Sequence, residues 1–376
     1  MSPSHRNVVR EPSIDALRGC AALIVVMAHT TIAGLYKVEP IWGWIKWTPL
    51  RVLWSGHQAV ILFFLLSGFA LATMLSSAGQ GYWRYALARV ARLWPPYMAS
   101  IILALAAYQA LRFLGAEWEK GWMNTVDPAF DLSVLLTHAL MVGPVETSAI
   151  NPPLWSIVHE MRISLIFPVV FAACLRWGVR TLLVSVCASI AFATMWRFWP
   201  ATVGGWIGQV SSTLHYTTFF VVGALIAIHK ARLVAWASSL DKRKKAAILL
   251  TALVLYAYPF DNPWSLSARA VGDLAIAAGA GLLVVLAIGS DWWQTNLQAQ
   301  FLGRISYSLY LNHILVLNCA LILLYHEFGA VAVWTATLPL SVALAYFMWK
   351  VVELPSIRLS RRAFSGRWSA AAPAAA

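Results

Sequence analysis

Charge is scarce in this sequence. Only 11% of its 376 residues are Asp, Glu, Lys or Arg, against 60% hydrophobic residues and 20 Trp, and a soluble domain carries roughly twice that charged fraction. A chain folded around an aqueous surface is therefore excluded, and no stretch between the apolar runs is long enough for a separate soluble domain. Cysteine is scarce too. Cys20, Cys174, Cys187 and Cys319 all fall inside apolar runs, without the close pairs of a zinc site or a disulfide-stapled module, so they read as packing residues and no metal is expected. Acidic side chains number 15 against 28 basic ones. No nucleic-acid module accompanies that excess, which reads as a topology signal and an attraction to anionic membrane lipid. No cleavable leader is expected, although basic residues precede the first apolar run: Asp15 and Arg18 stand at its start and no convincing small-residue cleavage site follows it, so the run reads as a span that stays.

What is present is a series of runs long enough to cross a hydrocarbon core of about 30 Å. They fall at roughly 14–35, 52–75, 95–114, 153–174, 181–198, 207–229, 246–260, 266–289, 305–325 and 331–352. The fold class is thus all-α, a polytopic membrane helix bundle of about ten transmembrane helices around an internal cavity. Segment 131–143 is apolar but short, and is expected either to dip into the membrane or to lie on it. Residues 1–12 read as an N-terminal tail, 13–356 as one membrane domain, and 357–376 as a basic, Ala-rich tail that is disordered from 369. Arg84, Arg89, Arg92, Lys230, the 242–245 cluster, Arg358, Arg361 and Arg362 fall on one side of this pattern. That asymmetry places both termini in the cytoplasm, and the chain is expected to be a multi-pass protein of the inner (cytoplasmic) membrane. The longest outer connection, 115–152, carries Glu117, Glu119, Asp127, Asp131 and Glu146 and could cover the outer mouth of a cavity.

Ionisable groups inside such spans are costly and mark candidate sites. In the first span, entered through Ser13 as an N-cap with Asp15 in its first turn, Arg18 and His29 are eleven residues apart. At about 100° and 1.5 Å per residue they share a helix face to within about 20° and stand about 16 Å apart along the axis. Ser67 and Gly68 lie at a depth comparable with Arg18, where small residues permit close packing or line a pocket. The segment 82–94 looks like an interfacial helix stopped by Pro95 and Pro96. Within it, Arg89 and Arg92 share a face, suited either to clamping a phosphate or to anchoring the inner surface. The fourth span opens near Pro153 and carries Trp155 and Glu160. Counting from the outer surface, Glu160 lies about 10 Å in, at the level reached by His29 from the other side. The pair reads as a general base with its orienter, or Glu160 as half of an ion pair with Arg162 or another helix. Asn312 and His313, in the ninth span, are expected to make interhelical hydrogen bonds.

Taken in order, Arg18 and His29 with ten residues between them, the 64–69 stretch FLLSGF, Arg89 and Arg92 in RVAR, the 155–160 stretch WSIVHE and the 306–313 stretch SYSLYLNH resemble the acyltransferase-3 family over about residues 12 to 356. The resemblance implies a membrane enzyme that moves an acyl group, most often acetyl, from cytoplasmic acyl-CoA to a carbohydrate or glycolipid hydroxyl of the cell surface. It implies no bound cofactor, with acyl-CoA (acetyl-CoA) as co-substrate. By the same resemblance Arg18, His29, Arg89 and Arg92 match functional positions. Read as such an enzyme, the arginines would hold the CoA phosphates and His29 would take the acceptor proton, with Glu160, placed at its level by the depth count, as its orienter. Some members carry an added esterase-like domain, for which this chain is expected to have no room. The competing reading is a proton-coupled transporter using His29 and Glu160 as a relay, although the chain shows no clear internal repeat.

Overall fold

The computed structural model describes residues 11–35, 48–76, 81–115, 132–141, 145, 147, 150–198, 205–257 and 266–365. The acidic residues of the 115–152 connection and the 369–376 tail lie outside them. Among the described residues the chain is entirely helical, and seven helices are long and apolar enough to cross a membrane.

Helix α1 (Pro12–Leu35) begins with Pro at its first position and Asp15 in its first turn, where a missing N–H and a negative charge both suit the helix start. Ser13, expected as the cap, lies inside that turn, its buried hydroxyl without a hydrogen-bond partner among the described residues. Helix α2 (Gly56–Ser76) runs back along it. Helix α3 (Tyr82–Phe113) corrects a sequence expectation, because Pro95 and Pro96 lie inside one continuous helix instead of ending an interfacial one. Proline is tolerated within such helices when neighbouring groups satisfy the backbone it frees.

The short helix α4 (Leu132–Leu140) packs against the middle of α3. The indole of Trp94 donates to Ala139 O (2.7 Å) and Tyr97 stacks on the fully buried His138. Those residues lie 16 to 19 positions before Phe113, so α4 reaches about 24–28 Å below the C-terminal end of α3. Of the two expectations for 131–143, dipping inward is the one the contacts favour.

Helices α5 (Leu154–Trp177), α6 (Val179–Phe198) and α7 (Gly205–Ile228) follow. Next come the short α8 (Lys230–Ser239), then α9 (Lys242–Ala257), α10 (Leu266–Ile288) and the one-turn α11 (Asp291–Thr295). Asp241 starts α9 by accepting from Lys244 N (2.9 Å), a bond that holds its exposed carboxyl below the usual carboxylate range. Helix α12 (Leu297–Met348) is two helices divided at Gly329, whose φ of 72° breaks the ladder. A π-helical turn (Trp349–Glu353) leads into α13 (Leu354–Ser365), which lies along α3 with Ser360 Oγ donating to Ala88 O. The first part of the expected C-terminal tail is therefore a packed helix.

The most extensive pairings, α1 with α12 and α2 with α7, depend on glycine. A Cβ on Gly303 would stand 2.2 Å from Asp15 O, and one on Gly19 would stand 2.5 Å from Gly303 N. Gly68 and Gly223 serve α2 and α7 in the same way, a Cβ on Gly223 meeting Leu65 O at 1.9 Å. Such backbone approach is how small residues replace a hydrophobic driving force between membrane helices. It fixes α1, with Arg18 and His29, against α12, with His313.

Candidate active site

A narrow cleft, part of it open, is lined by Arg18 from α1, Val60, Phe63 and Phe64 from α2, Ser156, Ile157 and Glu160 from α5, and Ser306, Tyr307 and Tyr310 from α12. Arg18 brings a buried Nε that has no hydrogen-bond acceptor among the described residues. Arg89 lies within electrostatic reach of both Arg18 and Arg92. It donates to Ser164 Oγ (3.2 Å) and more distantly to Glu160 Oε1 (3.5 Å), which also accepts from Ser67 Oγ (3.0 Å). Arg92 pairs with Glu353 at 3.0 Å and lies over the ring of Tyr307. Glu353 is held in turn by Ser308 N and Ser308 Oγ (2.7 Å). Three guanidinium groups thus face two carboxylates at one end of the cleft, and Arg18 is the one left without a carboxylate among the described residues.

The imidazole of His29 meets a different partner from the one expected. His313 Nε2 stands 3.3 Å from His29 Nδ1, with ring centroids 5.0 Å apart. The proton positions follow from the carbonyls around the pair. His313 Nδ1 lies 2.7 Å from Tyr310 O, and a carbonyl only accepts, so this nitrogen carries the hydrogen. His29 Nδ1 lies 2.9 Å from Val25 O and carries one for the same reason. In the neutral pair His29 Nδ1–H therefore points at Val25 O and the His313 Nε2 lone pair, and the lone pair of His29 stands on Nε2. In this tautomer the basic nitrogen of His29 is Nε2.

Glu160 is the correction. Its hydrogen bonds go to Ser67 and Arg89, and none goes to His29. The depth count failed because α5 does not start at the outer surface. Asn151 Nδ2, just before it, donates to Leu311 O (2.8 Å), and Tyr310 reaches Pro153 O (3.0 Å). Leu311 lies fourteen residues into α12, about 21 Å from its start, so α5 begins inside the bundle and Glu160 falls to the level of Arg18. Arg162, the alternative partner considered for Glu160, bonds Gln209 and Thr213.

The remaining expected residues separate. Trp155 packs edge-on to Phe64 and His159 behind the cleft. Asn312 Nδ2 bonds Ser308 O within its own helix, so among the described residues the interhelical bond expected of it is not made, whereas His313 makes one. The backbone of Asp15 forms the contact surface for Gly303. Glu353, Tyr307, Tyr310 and Ser308 were not singled out from the sequence as site residues. A carboxylate next to the last span's inner end was the available signal for Glu353, and the π-helical turn that carries it is a frequent feature of functional sites.

A second polar cluster was also missed. His57 Nε2 donates to Asp273 Oδ1 (2.7 Å), His215 Nε2 donates to Asp273 Oδ2 (3.0 Å), and Ser189 Oγ stands 2.6 Å from His215 Nδ1. An acid inside the eighth apolar run was the signal that could have found it.

With the arginine-lined cleft and the His29–His313 pair in place, comparison with known proteins decides the chemistry. The family described as an acyltransferase domain matches residues 11–350. The chain belongs to the acyltransferase-3 family. It is similar to "Acyltransferase MdmB" of Streptomyces mycarofaciens, 24% identical over 385 residues and 94% of each chain. It is also similar to "Protein 2 in picA locus" of Rhizobium radiobacter, 28% identical over 192 residues, 48% of this chain and 86% of that one. No solved structure matches. An acyltransferase-3 chain with this set of apolar helices is a membrane-embedded O-acyltransferase.

Proposed function

We propose that this acyltransferase moves an acyl group, acetyl first among the candidates, from cytoplasmic acyl-CoA to a hydroxyl of a carbohydrate or glycoconjugate, within a ten-span bundle in the cytoplasmic membrane whose termini both face the cytoplasm. The observation that carries the reading is α1 itself, which sets Arg18 in the cleft and His29, held through Nδ1 by Val25 O, about 16 Å further along on the same helix face. Arg18, with Arg89 and Arg92 near it, gives the cleft a cationic end suited to phosphate, and an extended pantetheine arm is of the right order to carry the thioester toward His29.

The chemistry balances without a cofactor. His29 Nε2 takes the acceptor hydroxyl proton as its oxygen attacks the thioester carbon. The carbon–sulfur bond then breaks, and the imidazolium returns the proton to the CoA thiolate. While charged, the imidazolium is held through Nδ1–H by the lone pair of His313. The relay of a proton-coupled transporter would need Glu160 beside His29, and its contacts with Ser67 and Arg89 remove that support.

The test is acetyl transfer from labelled acetyl-CoA in membranes bearing the intact protein, with mass spectrometry of surface glycans to identify the acceptor. General-base catalysis is worth about 10²–10⁴-fold, so His29→Ala should lose turnover on that scale while keeping the acetyl-CoA KM. A fully active His29→Ala protein, or substrate flux without any dependence on CoA, would overturn the reading.

A further inference from the structure

The cluster around Asp273 lies outside the cleft described above, yet two independent observations bring it to the level of His29. The first is the α2 face. His57, Val60, Phe64 and Ser67 fall within about 80° of one another at helical spacing, and Val60 and Phe64 line the cleft while Ser67 bonds Glu160. His57 stands ten residues before Ser67, about 15 Å along α2, and His29 stands about 16 Å from Arg18 along the antiparallel α1. Ser67 and Arg18 meet the same Glu160 end of the cleft, so the two histidines arrive at one level. The second is the α1–α2 contact. A Cβ on Gly56 would stand 2.9 Å from Ala28 Cβ, so the residues immediately before His57 and His29 touch each other.

The hydrogen bonds of His57 are also determined. An ionised carboxylate only accepts, so both imidazoles donate to Asp273 through Nε2, and Ser189 donates to His215 Nδ1. This leaves His57 Nδ1 as the one ring nitrogen of the cluster with no partner among the described residues, on a side chain that stays 28% exposed while that of Asp273 is 6% exposed. Asp273, His215 and Ser189 therefore hold a single open polar atom in a fixed direction.

We propose that His57 Nδ1 is an acceptor-binding group, a subsite for a second hydroxyl of a polyhydroxylated acceptor whose reacting hydroxyl is presented to His29 Nε2. The proposal rests on the acyltransferase reading above. His57 binds and Asp273 positions it; neither takes part in the proton transfer.

The deciding variant is His57→Gln. Glutamine keeps a nitrogen donor where Nε2 lies, so the bond to Asp273 survives, but it has nothing at the place of Nδ1. The measurement is steady-state transfer from acetyl-CoA to a panel of methyl glycosides by the full-length protein in proteoliposomes, with thermal stability followed in parallel. Loss of one hydrogen bond of about 1.4 kcal/mol should raise the acceptor KM about ten-fold. The acetyl-CoA KM, the rate of acetyl-CoA hydrolysis by water and the melting temperature should stay as in the wild type. Asp273→Asn, which lets the imidazole turn, should raise the same acceptor KM. An unchanged acceptor KM in His57→Gln, in a protein whose transfer still depends on His29, would overturn the subsite and leave the acyltransferase reading standing. A fall in stability with both KM values shifted would make the cluster a clasp between helices. Hydrolysis of acetyl-CoA with transfer to none of the glycosides would remove the carbohydrate subsite. A wild type without acetyl-CoA turnover would remove the parent reading.

Discussion

At the residue scale, the decisive fact is which side chain each carboxylate meets. Glu160 accepts from Ser67 and stands 3.5 Å from Arg89, whereas His29 is held by Val25 O and His313. Residues in one hydrogen-bonded network show coupling energies of about 0.5–3 kcal/mol, and residues without shared partners add to within about 0.5 kcal/mol. Double-variant cycles on acyl transfer should therefore find Glu160→Gln strongly coupled to Arg89→Lys and nearly additive with His29→Gln. Coupling of Glu160 to His29 instead would restore the pairing suggested by depth counting. A related expectation concerns Arg18, the guanidinium without a carboxylate among the described residues. Arg18→Gln should raise the acetyl-CoA KM with little effect on stability, because it breaks no ion pair. Arg92→Gln should do both, because it leaves the 1%-exposed Glu353 uncompensated. Equal stability losses in the two variants would contradict this division.

At the scale of elements, the part of the site that was legible in the sequence is the part carried by one helix. Arg18 and His29 share a face because helical rise and twist are fixed numbers, and that arithmetic needs no tertiary information. The partner of His29 was not legible, since rise gives a level along the bundle but not which neighbour lies at that level. His313 fills that place because Gly19 and Gly303 draw α1 onto α12, an approach that glycine spacing hints at and only packing decides. Glu160 was misplaced for another reason: the count began at a membrane surface, and α5 begins below it, with Asn151 tied to Leu311 O. Likewise Pro95 and Pro96 were read by soluble-helix rules as a stop, and the bundle carries them inside α3. The α1–α12 seam gives a direct test. Gly303→Ala would set a Cβ 2.2 Å from Asp15 O, which is backbone and cannot swing aside. Overpacking of this kind costs about 1–3 kcal/mol. The variant should melt lower and lose turnover more than donor binding, since Arg18 sits near the seam and His29 must keep its register with His313. Unchanged turnover and melting would mean that α12 yields there and that the His29–His313 geometry is not set by this contact.

For the whole molecule, the basic residues give the bundle a direction, and the contacts show which ends belong together. Glu11 at the start of α1 pairs with Lys230 at the start of α8, Arg92 of α3 pairs with Glu353 at the end of the π-helical turn, and Ser360 of α13 bonds Ala88 of α3. These links gather the first turn of α1, the first half of α3, the α7–α8 junction and α13 at one end of the molecule. Arg84, Arg232, Arg358, Arg361 and Arg362 are found there. The opposite end holds the end of α1 and the start of α2, with Leu50, shortly before α2, exposed. Excess Lys and Arg mark the cytoplasmic side, so the arginine end of the cleft should open toward the compartment that holds acyl-CoA, and the His29–His57 level should lie nearer the other surface. In a background with the four native cysteines replaced, a membrane-impermeant maleimide applied to intact cells should label Leu50→Cys. It should reach Arg84→Cys and Lys244→Cys only after the membrane is opened. Labelling of position 84 or 244 from outside would turn the bundle over. The arginines would then face a compartment without acyl-CoA, and the assignment of Arg18, Arg89 and Arg92 to the donor would fall together with the orientation.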